Sequence, residues 1–116
     1  MSWTTITNIL VVNGHNVASF PFPIRLAKEI QGTIIVILDI TPNEIFSRNA
    51  YGYVLSESRL WQIDKYYPQE PLSGVVVIDI LPNDNIIGQV ILWTWTCIVL
   101  YVDIKTGKVI RTEISK

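Results

Sequence analysis

The sequence predicts an all-β fold: a single-domain, mostly antiparallel sandwich or barrel-like meander of about seven or eight strands, with one or two short helical turns. Apolar side chains do not follow a helical period over any long stretch of the chain. Several apolar runs instead have the length of a strand, and turn-forming residues separate them at short intervals. These observations favour antiparallel sheets joined by short turns.

The N-terminal part predicts a hairpin. Residues 3–12 are rich in Thr, Ile and Val and stop at Asn13-Gly14, a dipeptide typical of two-residue hairpin turns. A return strand is expected over residues 17–22, where Pro21 and Pro23 remove backbone donors. This strand should therefore end there or lie at a sheet edge.

Residues 24–31 are open to two interpretations. Pro23 could begin a short helix that Gly32 ends, with Ile24, Ala27 and Ile30 on its inner side. An extended strand with alternating apolar residues also fits, apart from Lys28. We give the helical turn a slight preference.

The middle of the chain continues with apolar strands. Residues 33–40 are apolar on both faces, and a capping-box pattern at 41–44 predicts one helical turn through Ser47. Strands over 50–55 and 60–67 flank a polar turn at 56–59, and a further strand covers 75–81. A meander of this kind is typical of an antiparallel sheet.

The longest apolar run, residues 90–102, contains no charged side chain. At the strand period of two, both of its faces are apolar, which predicts a strand covered on both sides at the centre of a sheet. A turn at 105–108 and a last strand to about Ile114 complete the predicted fold.

The order of several motifs carries a resemblance. The segments concerned are 20–24, 34–38, 45–46 leading to Asn-Ala-Tyr at 49–51, Leu-Trp-Gln-Ile at 60–63, Trp95, and Val-Asp at 102–103 with Thr-Gly-Lys at 106–108. Together they resemble a family of small stand-alone bacterial proteins, cyanobacterial among others, of unassigned function. The resemblance implies an all-β fold and no activity.

The chain departs from that family pattern at two turns. Ser58 stands where the family usually carries Gly, and Thr96 and Cys97 stand where an acidic residue and Gly usually follow the Trp95 motif. The second departure leaves two interpretations open for residues 90–102: a tight turn after Trp95, or one continuous strand.

Size and composition favour a single associating domain. The 116 residues are enough for one hydrophobic core, so we expect one domain over residues 1–116. Hydrophobic residues make up 49% of the chain and charged residues only 16%, against about 25% in a typical domain. Surplus apolar surface of this kind is commonly covered by a protein partner or a second copy, and a homodimer is the expected form.

Charge and targeting features argue against a nucleic-acid-binding, a membrane or a secreted protein. The net charge is −1 without a cluster of Lys or Arg, so neither nucleic acid nor a membrane surface is an expected partner. The N-terminus lacks the pattern of a secretory signal, and the longest apolar run is shorter than the about 20 residues of a membrane helix. A single cysteine suits a reducing compartment, and we expect a cytoplasmic protein.

The sequence offers few candidates for catalysis or metal binding. His15 is the only histidine and is interpreted as an exposed turn residue, while Cys97 lies in the most apolar run and is interpreted as a buried, inert thiol. Four aspartates lie at or near strand ends, where turn formation is their ordinary role: Asp39, Asp64, Asp79 and Asp103. No glycine-rich phosphate loop is present. We therefore expect no catalytic residue, metal or cofactor.

The aromatic residues are the stronger functional signal. Trp93 and Trp95 share one face of the predicted strand, and Tyr101 falls on that face as well. Together with Trp61 they are the predicted interface residues, with core packing as the alternative. The first functional hypothesis is a small non-catalytic binding module, with an immunity- or inhibitor-like role as its narrower form. A structural homo-oligomer subunit and a small carboxylate-dependent hydrolase are the alternatives.

Overall fold

The computed structural model describes residues 2–40, 48–64, 77–81, 86–95 and 98–114, and these residues form an all-β structure. The described strands are β1 (Trp3–Ile6), β2 (Ile9–Val12), β3 (His15–Ser19), β4 (Ile24–Ile30), β5 (Thr33–Leu38), β6 (Ala50–Val54), β7 (Arg59–Gln62), β8 (Val77–Leu81), β9 (Gln89–Thr94), β10 (Ile98–Asp103) and β11 (Val109–Ile114). Over the same ranges, no helix has the length and apolarity needed to cross a membrane.

The strands form three antiparallel sheets, each built from consecutive strands. The N-terminal sheet has the order β1-β2-β3, the central sheet β4-β5-β6-β7, and the C-terminal sheet β11-β10-β9-β8. Every described pairing is antiparallel, as the sequence predicts. The described strands are more numerous than expected because two of the predicted strands are hairpins and because residues 24–30 form a strand in place of the preferred helical turn.

The central sheet lies between the other two and is covered on both faces. One cluster of buried side chains joins it to the N-terminal sheet, through Leu10 and Phe20 on one side and Ile34 and Val36 on the other. The opposite faces of β5 and β6 pack against the C-terminal sheet in a second cluster. Every residue of β5 is therefore buried, which confirms the prediction of a doubly apolar strand there.

β4 corrects the preference for a helical turn over residues 24–31. The strand carries a register shift between Ile24 and Leu26, which breaks the period of two. Ile24 and Ala27 pack toward the N-terminal sheet, whereas Leu26 and Ile30 pack toward the C-terminal sheet. Apolar residues on both faces, combined with a bulge, imitate the spacing of a helix.

Residues 90–102 are a hairpin and not one continuous strand. β9 ends at Thr94 and β10 begins at Ile98, with Trp95 at the turn between them. The backbone N–H of Ile98 donates a hydrogen bond of 3.1 Å to the Thr94 hydroxyl, which helps to close this turn. The two strands are the inner pair of the C-terminal sheet, so the predicted central position is correct.

The segment 3–12 is likewise a hairpin. β1 and β2 pair directly across a two-residue turn at Thr7-Asn8, and Thr7 adopts a positive φ of 53°. This conformation is rare for a β-branched residue, so Thr7 does not predict the turn, although Asn8 beside it is a common turn residue. The next turn, Asn13-Gly14, has positive φ at both positions, as its sequence predicts.

The remaining predicted turns have clear local causes. Leu55–Glu57 form one turn of 3-10 helix that ends at Ser58, whose φ of 47° is left-handed. Gly107 has a φ of 79° in the turn between β10 and β11. The helical turn expected through Ser47, residues 65–67 of the strand expected over 60–67 and the thiol of Cys97 lie outside the described residues.

Candidate interaction surface

The C-terminal sheet has an inner face on the core and an outer face that points away from the central sheet. The inner face carries Val90, Leu92, Leu100 and Val102, all fully buried. Because side chains alternate along a strand, the intervening residues lie on the outer face. These are Asp79 and Leu81 of β8, Gln89, Ile91 and Trp93 of β9, Val99, Tyr101 and Asp103 of β10, and Arg111 and Glu113 of β11.

Trp93 and Trp95 differ in their surroundings. Trp93 is half-buried on the outer face, opposite Val99 on one neighbouring strand and Asp79 on the other. Its Nε1 is buried and has no acceptor among the described residues, which is unusual for an indole N–H. Trp95 lies in the turn after β9, and 69% of its surface is exposed. The two indoles thus lie at one end of the sheet, where that of Trp93 is half-buried and that of Trp95 projects into solvent.

Tyr101 joins the aromatic residues to the charges of β11. The guanidinium carbon of Arg111 lies 3.6 Å from the centroid of the Tyr101 ring, and Arg111 also forms an ion pair of 3.2 Å with Glu113. The Tyr101 hydroxyl donates a hydrogen bond to the Glu113 carboxylate. That bond raises the pKa of Tyr101 and lowers the pKa of Glu113, because it favours the protonated phenol and the ionised carboxyl.

Arg111 and Glu113 were not among the residues predicted from the sequence. The strand period alone places them on one face of the last strand, but only the pairing of β11 with β10 brings them beside Tyr101. We define the tryptophan surface as Trp93, Trp95 and Tyr101, with Arg111 and Glu113 at its edge.

Trp61 belongs to the core and not to this surface. It is 5% exposed, and its Nε1 donates a hydrogen bond of 3.0 Å to the carbonyl oxygen of Ile104. The indole lies against Gly52 and Gly107, where there is no room even for a Cβ atom. Of the predicted interface residues, Trp61 is therefore the one that the structure buries.

The candidate catalytic residues occupy positions that fit structural roles. His15 is exposed at the start of β3, next to the turn, as expected. Asp103 accepts a hydrogen bond of 2.9 Å from the backbone N–H of Lys105, the turn role predicted for it. Asp39 lies 3.9 Å from Arg25 in an exposed ion pair.

Two aspartates share the outer face of the C-terminal sheet but lie far apart. Asp79 pairs with Trp93 and Asp103 pairs with Gln89, so they are separated by four positions of β9. At about 3.3 Å per residue this is roughly 13 Å along the strand, beyond the separation of paired catalytic carboxylates. In the part of the chain that the structure describes, no three His, Cys, Asp or Glu residues form a group suited to a metal ion.

The described residues thus define an all-β domain of three stacked sheets, with aromatic side chains on one outer face. A family model described as a domain of unknown function, DUF7957, matches residues 1–114, and the chain belongs to this family. The predicted membership of a family of unassigned function is therefore confirmed. Comparisons with curated proteins and with solved structures found no match.

Proposed function

We propose that this protein is a non-catalytic interaction module that binds a partner protein through the tryptophan surface. The observation that carries the proposal is the exposure of Trp95, at 69%, in the turn of the central hairpin of the C-terminal sheet. Covering a tryptophan side chain removes a large apolar area from water, and tryptophan is among the residues most enriched at energetically dominant contacts.

The surroundings of Trp95 support this assignment. Tyr101 and Arg111 are also residue types enriched at protein interfaces, and the ion pair with Glu113 restrains the Arg111 side chain before any partner binds. An apolar anchor flanked by a charged edge has the anatomy of a contact surface. The partner that fits is a protein with an apolar pocket for the Trp95 indole.

The core anchors the hairpin that carries Trp95. β9 and β10 are the inner strands of their sheet, and Leu92 and Leu100 anchor them in the core with no exposed surface. The strands that flank the Trp95 turn are thus held by the core, and ordered flanking elements reduce the conformational freedom that is lost on association. An immunity- or inhibitor-like role is the narrower form of this proposal, and an enzyme as partner would support it.

The test compares two exposed apolar residues. Trp95→Ser removes the proposed anchor, whereas Ile87→Ser changes a side chain that is 93% exposed at a different turn. Both variants and the native protein serve as baits in quantitative affinity capture from the native cell, and each captured candidate is then purified. Binding measured by calorimetry should weaken at least about tenfold with Trp95→Ser and stay within about twofold with Ile87→Ser.

Two results count against the proposal. One is that no purified candidate distinguishes Trp95→Ser from the native protein. The other is that both substitutions weaken binding equally, which would indicate non-specific capture through exposed apolar side chains. Circular dichroism of each variant confirms that the fold is retained, as expected for two exposed positions.

A further inference from the structure

Among the described strands, β11 lies at an edge of the C-terminal sheet. It pairs with β10 on one side, and none of the described strands pairs with its other side. Residues 110–114 are all exposed, with Ile114 at 80% and Ile110 at 49%. An edge strand presents unpaired backbone N–H and C=O groups, and exposed isoleucines beside them favour pairing with another strand.

The order of residues in this edge is self-complementary. When two copies of Ile-Arg-Thr-Glu-Ile at 110–114 are aligned antiparallel, arginine lies opposite glutamate and isoleucine lies opposite isoleucine. We propose that two copies of the chain associate by antiparallel pairing of their β11 strands about a two-fold axis at Thr112. Arg111 then lies opposite Glu113 of the second copy, and Ile110 lies opposite Ile114 of the second copy.

The faces of the sheet agree with this register. Thr112 and Ile114 pair with Leu100 and Ile98 on the inner side, whereas Arg111 and Glu113 lie on the outer side with Tyr101. Directly opposite residues of an antiparallel pair point to the same face, so the proposed register brings the opposite charges of Arg111 and Glu113 together on the outer face, a favourable contact across a pair of strands. Ile110 lies at a register shift of the β10–β11 pairing, opposite no residue of β10, so the charge pairs define the register.

Other registers are less favourable. An axis at Arg111 places two guanidinium groups opposite each other, and an axis at Glu113 does the same with two carboxylates. An axis between two residues places a charged residue opposite an uncharged one and mismatches the two faces. Thr112 is thus the centre that satisfies charge and face together.

The pairing would join two four-stranded sheets into one sheet of eight strands. It uses the edge strand of the C-terminal sheet and shares Arg111 and Glu113 with the border of the tryptophan surface, whereas partner binding is centred on Trp95. The sequence placed self-association on Trp93, Trp95 and Tyr101, whereas the proposed contact is centred on Thr112 of β11. The contact is short, so we expect a dimer that dissociates on dilution.

Charge reversal tests the proposal with its own internal control. Arg111→Glu and Glu113→Arg each place like charges opposite one another in both symmetric contacts, so dimerisation should weaken by roughly tenfold or more. An equimolar mixture of these two variants restores opposite charges and should form the heterodimer. The double variant R111E/E113R is again self-complementary and should dimerise as the native chain does.

Sedimentation velocity over a concentration range up to the high micromolar measures all five samples. Lys105→Glu, an equal charge change at an exposed turn, is the matched control and should leave the dimer unchanged. Ile114→Ser, a change at a side chain already 80% exposed, should weaken the dimer while keeping the thermal stability of the monomer.

A native chain that stays monomeric overturns the proposal. So does a dimer that neither single reversal weakens, or a mixture of the two reversals that does not associate. A dimer that is lost with Trp95→Ser but kept with both reversals would place self-association on the tryptophan surface instead.

Discussion

Gly52→Ala should be among the most destabilising single-methyl changes in this protein. Gly52 lies in β6 directly opposite Trp61 of β7, and an added Cβ would lie 2.2 Å from the Cε2 and Cζ2 atoms of the indole. The indole cannot retreat freely, because on another side it lies against Gly107, where a Cβ would come within 2.4 Å of its Cε3 atom. Relief of the clash requires the ring or the strands to move.

The size of the loss in the free energy of unfolding follows from the contacts that such a movement breaks. Overpacking a filled core costs about 1–3 kcal/mol. Displacing the indole also breaks its 3.0 Å hydrogen bond to the Ile104 carbonyl and leaves a buried group unpaired, which costs about 1–3 kcal/mol. Alanine regains about 0.5–1 kcal/mol over glycine within a strand. The net loss in the free energy of unfolding should be about 2–4 kcal/mol.

Urea denaturation followed by far-UV circular dichroism measures this loss. The matched control is Gly88→Ala, where the added Cβ meets nothing within 4 Å but the backbone has a φ of 86°. It carries only the cost of a left-handed conformation, about 1–2 kcal/mol. Gly52→Ala should therefore lower the free energy of unfolding more than Gly88→Ala, although its own backbone does not require glycine.

A double-mutant cycle separates the clash from other effects. Trp61→Leu removes the ring that the new methyl group would strike, so adding Gly52→Ala to it should cost little or even stabilise. The coupling between the two positions should reach at least about 1 kcal/mol. Additive losses, or a Gly52→Ala variant within about 0.5 kcal/mol of the native protein, would refute the packing described for Trp61.

Three further predictions concern single side chains. Asn49 is fully buried, and its side chain exchanges hydrogen bonds of 2.8 and 2.9 Å with the backbone of Val77. Asn49→Ala should therefore lower the free energy of unfolding by about 2–4 kcal/mol in urea denaturation. A loss of less than about 1 kcal/mol would contradict the importance of these hydrogen bonds. Glu113→Gln should lower the raised pKa of Tyr101, as measured by NMR titration of the tyrosine ring. In the native chain, the stabilisation of the folded state by this pair is present below the unfolded-state pKa of Tyr101 and is lost as pH rises through the folded-state pKa of Tyr101. It is also lost as pH falls through the lowered pKa of Glu113. Cys97 should react slowly with a thiol reagent in the native state and rapidly in denaturant; rapid native labelling would reopen its interpretation as a nucleophile.

The two hairpins that the apolar pattern did not resolve share a physical cause. The hairpin at residues 90–102 has no Gly, Asn, Asp or Pro at its turn, and the acceptor that helps to close it is the hydroxyl of Thr94. The hairpin within residues 3–12 turns at Thr7, in a conformation that its side chain disfavours. In both places the paired strands meet at a turn that lacks the usual turn dipeptides, and for residues 90–102 the resemblance to the family pattern left a turn after Trp95 open.

The candidate site was predicted only in part for a similar reason. Trp93, Trp95 and Tyr101 could be selected from the sequence because aromatic residues recur within one apolar run. Trp61 could not be separated from them, since a tryptophan suits a core as well as an interface. Its burial depends on Gly52 and Gly107, one directly opposite on β6 and one in the distant β10–β11 turn, which leave the indole its space.

By itself, the sequence determined the fold class, the turns at Asn13-Gly14 and around Gly107, and the burial of β5 on both faces. These properties follow from the local conformational preferences of glycine and asparagine and from apolar residues at every position of a strand. The tertiary structure alone decided which sheet lies between the other two, which tryptophan is buried, and that Arg111 and Glu113 of β11 lie beside Tyr101. Those outcomes depend on contacts between residues far apart in the chain, and a local pattern carries no information about which distant surface will cover it.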